Sequence, residues 1–131
     1  MGVDAATTVR SDAKGEFAKT RRTDLVISTR KEDFVERVKV WTDGVGADVE
    51  IDSSSEDVLA KSIEGTKPLG VAVAFGFSAG SRVKFDIRSF FFAQKRLHGS
   101  MASDIEDFNW GLEQVRVGRI KLLLDHVLPL S

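Results

Sequence analysis

Residues 71–77, Val-Ala-Val-Ala-Phe-Gly-Phe, decide the fold class. A strand with one wet face alternates apolar and polar residues. This run is apolar at nearly every position, as expected for a strand buried on both faces of a parallel sheet. On either side of it, Asp48–Asp52 (DVEID), Asp24–Ser28 (DLVIS) and Val3–Thr8 (VDAATT) read as earlier strands, and Arg96–Met101 (RLHGSM) and Leu122–Leu128 as later ones. Amphipathic stretches separate them. That alternation is the signature of βαβ units in an α/β domain.

Helix signals fill the intervals. Residues 12–22 give a weak helix, with only Phe17 and a few alanines to face a core. Thr29 followed by Glu32 reads as a capping box opening a helix with Phe34, Val38 and Trp41 on one face, stopped by Gly44 and Gly46. The Ser53/Glu56 and Ser54/Asp57 pairs offer the next start, for a helix carrying Val58, Leu59 and Ile63 and ended by Pro68 and Gly70. Ser103/Glu106 supplies a third box, ahead of the stripe Ile105, Phe108, Leu112 and Val115, with Gly118 at the C-cap. The mixed segment Phe85–Phe92 (FDIRSFFF) carries neither period. No repeat or linker divides the chain, so residues 1–131 are expected to form a single domain.

Composition excludes several function classes. Nineteen basic against twenty acidic residues leave a net charge of −1, so no positive field exists to hold a nucleic-acid backbone. No apolar run is long enough to span a bilayer, and the start lacks a signal-like apolar region. With no cysteine there is no disulfide, thiolate metal site or cysteine nucleophile. A reducing cytoplasm is the expected compartment.

The sharpest local pattern is Gly76-Phe77-Ser78-Ala79-Gly80, which matches the GxSxG nucleophile elbow directly after a buried strand. That motif requires a helix right behind the serine, and residues 81–86 contain no helix start. Ser78 is therefore read as a turn serine, and a small serine hydrolase is the weakest of three readings. His98 and His126 are the only histidines, and neither has a second ligand at helical spacing, so no metal is expected. Asp125 beside His126 would point to the opposite face of a strand. The basic cluster Arg10, Lys14, Lys19, Arg21 and Arg22 reads by composition as a solvated helix face. Phe90-Phe91-Phe92 reads as core or subunit interface. Glu50 sits where a buried strand residue belongs, an unfavourable place for an unpaired carboxylate.

Taken in order, TTVRSDAKGEF, DLVISTRKEDFVERV, GADVEIDS and VAFGFSAGSRVKFDIRSFFFAQKRLHGSM, with LLLDHVLPLS at the end, resemble the cofactor domain of the medium-chain dehydrogenase/reductase family. The likeness covers essentially the whole chain and extends to zinc-type alcohol dehydrogenases, with the zinc-free quinone and enone reductases nearest in pattern. It implies a Rossmann-like, doubly wound parallel sheet binding NADPH. By that resemblance Arg10, Ser11 and Lys14 fall where the family grips the adenosine ribose and its 2′-phosphate. Thr29 stands where quinone reductases often carry tyrosine, and Ser53 with Phe75, Gly76 and Phe77 borders the nicotinamide. No residue is assigned as catalytic.

Departures from the family are as informative. The glycine-rich turn and the strand before it have no counterpart; the chain opens at what resembles strand two. In the order 3-2-1-4-5-6, strand one lies between strands two and four. Without it, two half-sheets with open edges are expected. Each unpaired buried backbone group costs on the order of 1–3 kcal/mol, so the chain must gap, re-pair or recruit a strand. Ser54-Ser55 replaces a glycine pair, and Arg21-Arg22-Thr23 replaces Leu-Gly-Ala. The leading expectation is a partial oxidoreductase chain with no turnover of its own. The alternative is a non-catalytic relic or interaction module that pairs through open sheet edges, as a homodimer or with a full-length relative.

Overall fold

The computed structural model describes residues 2–21, 23–124 and 126–129. Arg22 of the basic cluster and Asp125 lie outside the described residues. Two compact units are present, residues 1–100 and 101–131.

The first unit alternates strands and helices in the expected manner. Strand β1 (Ala6–Val9) leads into α1 (Asp12–Lys19), then β2 (Leu25–Ser28), α2 (Phe34–Trp41), β3 (Ala47–Asp52), α3 (Glu56–Gly65), β4 (Thr66–Ala74), α4 (Ile87–Phe92) and β5 (Arg96–Gly99). All pairings are parallel, in two separate sheets: β1 with β2, and β3-β4-β5. Aligned with the order 3-2-1-4-5-6, these are the two flanks of a doubly wound sheet. Among the described residues no strand bridges β1 and β3, and none fills the slot between them.

Packing follows the strand period. Ile27 of β2 is fully buried against Phe34, Val35 and Val38 of α2, with Leu25 and Ala47 alongside. Because Ala47 opens β3, α2 touches material from both sheets. A second core joins Leu59 and Ile63 of α3 to Ala72 of β4, with Ala74, Val83, Phe85 and Phe90 packed on it. Val49 and Ile51 of β3 sit opposite Val71 and Val73 in register and therefore share the face turned away from Ala72. That face is open: Val49 is 52% and Ile51 71% exposed.

Helix starts depart from the expected capping boxes. Asp33 caps α2, its carboxylate accepting from the amides of Val35 and Glu36; Thr29 does not. Its hydroxyl is bound to the Val9 carbonyl at 3.3 Å, and Glu32 pairs with Arg37. Ser55 precedes α3 at φ 68° without a side-chain cap, while Asp52 accepts from the amides of Ser54 and Ser55 instead. Near both starts an aspartate, not a Ser or Thr hydroxyl, accepts the amide donors, and such charge-assisted bonds are the stronger ones.

β4 also begins earlier than expected, at Thr66, with Pro68 and Gly70 inside it. The irregular register between Ala47 and Val49 gives Pro68 a tolerated place. The segment of uncertain period contains the short helix α4, capped by Asp86. Gly44 and Gly46 do stop α2, at φ 83° and 94°.

The second unit holds α5 (Ile105–Arg116), capped by Asp104, not Ser103. Gly118, at φ 74°, follows the C-cap Val117. The described residues of 122–128 form no strand.

Candidate functional site

Two groups of residues lie just past the carboxyl ends of parallel strands, where open α/β sheets bind their ligands. The first gathers at the ends of β1 and β2. Ser11 is the N-cap of α1, its hydroxyl accepting from the Lys14 amide at 3.4 Å. Arg10 precedes it and Lys14 stands one turn on; both are exposed, and neither side chain has an ion-pair partner among the described residues. Thr29 joins the group through its bond to Val9. Sequence reasoning missed Asp12 and Lys31, which pair at 2.7 Å across the same corner. The Lys31 ammonium, aided by Arg30, holds the Asp12 carboxyl below its ordinary range. This clasp removes the nearest negative charge from a corner rich in donors; a Ser-Asp pair opening a helix was its only sequence signal.

The second group gathers at the ends of β3 and β4, where two loops are stitched together by backbone bonds. The Phe75 amide donates to the Asp52 carbonyl at 2.9 Å, Ser78 to Ser53 at 3.3 Å and Ala79 to Ser54 at 2.9 Å. The Ser78 hydroxyl also donates to the Ser53 carbonyl, at 3.2 Å. Ser78 is thus a turn serine, and no helix follows it before α4. A Cβ at Gly76 would stand 2.6 Å from the Ser53 carbonyl oxygen, so glycine is required for the two loops to approach. Phe75 and Phe77 are 54% and 74% exposed, flanking Gly76 as an apolar rim. Ser53, Phe75, Gly76 and Phe77 are therefore brought together, as Arg10, Ser11, Lys14 and Thr29 are at the other corner.

Among the described residues no three His, Cys, Asp or Glu side chains converge on a point where a metal ion would sit. None of their helices is long and apolar enough to cross a membrane.

The family model described as zinc-binding dehydrogenase matches residues 1–116. The chain belongs to the zinc-binding dehydrogenase family. A 2-haloacrylate reductase from Burkholderia sp. is 34% identical over 80 residues, which are 61% of this chain and 24% of that protein. Among solved structures, AibC superposes with a TM-score of 0.87 at 21% identity, over 93% of this chain and 34% of its own. The D-arabinose dehydrogenase from Sulfolobus solfataricus gives 0.80 at 23% identity, over 90% and 36%. Family membership bears out the medium-chain dehydrogenase/reductase resemblance and the Rossmann-like fold. The chain spans about a quarter of the curated relative's length and about a third of each structure's.

The family's description implies zinc, but the carboxylates and histidines described here do not fit such a site. A nicotinamide dinucleotide is the family's other group. The donor set at α1, two cations with a helix N-terminus between them, is of the kind that can hold a phosphate group.

Proposed function

We propose that this chain is the carboxyl-side part of the cofactor-binding domain of an oxidoreductase that uses NADPH to reduce quinones or enones. The observation carrying the reading is the pair of parallel half-sheets with Arg10, Ser11 and Lys14 past β1 and the Ser53–Phe77 rim past β3 and β4.

On this reading Arg10 and Lys14 hold the 2′-phosphate, and Ser11 orients the ribose. Thr29 stands in for a larger tyrosine and gives a weaker contact. Ser53, Phe75 and Phe77 border the nicotinamide and exclude water from one side of it. When bound, the nicotinamide supplies a hydride to an activated carbon or quinone. No described side chain is placed as acid or base, so the chain by itself is expected to show no turnover. The absence of cysteine accords with a cytoplasmic setting.

The test compares 2′,5′-ADP with 5′-ADP, and NADPH with NADH, by quenching of Trp41 and Trp110 fluorescence. The 2′-phosphorylated member of each pair should bind at least about tenfold more tightly, and Arg10→Ala or Lys14→Ala should remove most of that preference. Equal binding of both members would contradict the NADPH assignment.

A second reading is favoured by the open edges of β1 and β3: association through them with a second copy or a full-length relative. Concentration-dependent dimers in light scattering, without nucleotide binding, would favour it.

A further inference from the structure

Glu50 is a carboxylate of β3 set beneath a helix, with no ion-pair partner among the described residues and, unlike Asp52, no backbone amides to accept from. By register it lies opposite Ala72, on the face covered by α3. Its Oε1 is buried and finds no hydrogen-bond partner among the described residues. The last turn of α3 closes over it: a Cβ on Gly65 would run into the same oxygen. The buried Thr66 hydroxyl donates to the Ser62 carbonyl at 2.7 Å, securing that turn. Lys95 reaches over from the α4–β5 connection, its ammonium donating to the carbonyls of Ile63 at 2.7 Å and Glu64 at 3.0 Å.

The surrounding charges leave Glu50 largely uncompensated. On its own strand Asp52 adds like charge, while Asp48 is taken up by Lys67. From α3 the Ser62 hydroxyl gives partial support, and Glu64 is engaged with Lys39 of α2 at 3.5 Å. Lys95 attracts Glu50, but its ammonium is already committed to two carbonyls, and its own pKa is lowered by burial and by Lys39.

We propose that Glu50 is a proton-operated latch: protonated, it lets the last turn of α3 seat on β3; ionised, it drives that turn away. The closed latch holds the contact between α3 and the β3–β4 pair. Burial is the main force behind it, pushing the Glu50 carboxyl up from 4.5 to about 7, against the opposing pull of Ser62 and Lys95. The folded-state value lies above the unfolded one, so the closed form is fully favoured below about 4.5 and loses ground as pH rises toward 7. Above that the opening levels off. This assignment concerns β3 and α3 alone and does not depend on the cofactor reading.

The experiment follows the Glu50 carboxyl carbon by NMR in the intact chain, together with amide exchange at Leu59 and Ile63 corrected for intrinsic rates. The carboxyl should titrate near 7, and opening of α3 should rise by up to about a hundredfold between pH 4.5 and 7. Glu50→Gln should keep α3 closed across that range. A carboxyl midpoint near 4.5 in the wild type would overturn the proposal even if the variant fails to fold, as would an unchanged pH dependence in a folded Glu50→Gln.

Discussion

At Gly76 a single methyl group decides whether two loops can meet. The nearest atoms to an added Cβ are the Ser53 carbonyl oxygen at 2.6 Å and its carbonyl carbon at 3.3 Å, backbone that cannot rotate aside. Gly76→Ala should therefore destabilise the unit by about 1–3 kcal/mol in chemical denaturation, the ordinary cost of forced overpacking. A change under about 0.5 kcal/mol would show that the loops are free to separate. Glu50 makes stability depend on pH. Between pH 4.5 and 7 the unfolded chain releases the Glu50 proton while the folded chain keeps it, so stability falls as pH rises. The rise from 4.5 to about 7 sets an upper bound of roughly 3–4 kcal/mol, reduced by the partial exposure of the group. Glu50→Gln should recover most of that loss at pH 8 in a thermal melt. The Glu50 problem was legible in the sequence, because a carboxylate at an inward strand position has no good solution. The Asp12–Lys31 clasp was not, since partners 19 residues apart meet only when β1 and β2 pair.

Among the elements, the strands were readable and the caps were not. Runs such as Leu25–Ser28 and Val71–Ala74 announce burial by their own composition, whereas a cap depends on which acceptor arrives first. At α2 the sequence offered Thr29 with Glu32, but Thr29 sits just past the end of β2 and spends its hydroxyl on Val9. Asp33 was left at the helix start with two amides to accept. It also pairs with Lys61 at 2.5 Å, tying α2 to α3, and Lys61 holds the Asp33 carboxyl below its ordinary range. Asp33→Ala should accordingly cost about 1–2 kcal/mol, most of it from the cap, since an exposed ion pair adds little. Asp33→Asn should recover most of the loss; equal damage from both would move the weight to the ion pair. Helix α4 was hidden for a different reason. Three adjacent phenylalanines cannot share one face of a helix: Phe90 packs with Phe85 at 5.3 Å between ring centres, while Phe91 and Phe92 stay 71% and 73% exposed.

For the whole molecule, the governing fact is a sheet in two pieces. The order β2-β1 on one side and β3-β4-β5 on the other leaves one open edge on β1 and one on β3, beside the uncovered Val49–Ile51 face. Topology made this legible, because the absence of a glycine-rich turn implies a vacant central position once the doubly wound order is accepted. Individual site roles were less so, because residue types at strand ends suit several ligands until the loops are placed. A strand supplied to that slot should protect both edges and stabilise the chain by mass action. Amide hydrogen exchange across β1 and β3 tests this most directly. Exchange should be fast at the alternate amides facing away from β2 and β4, and slowed by an added glycine-rich strand-turn-helix peptide. Full protection of every amide in both strands of the chain alone would mean one continuous sheet, and would contradict a sheet in two pieces.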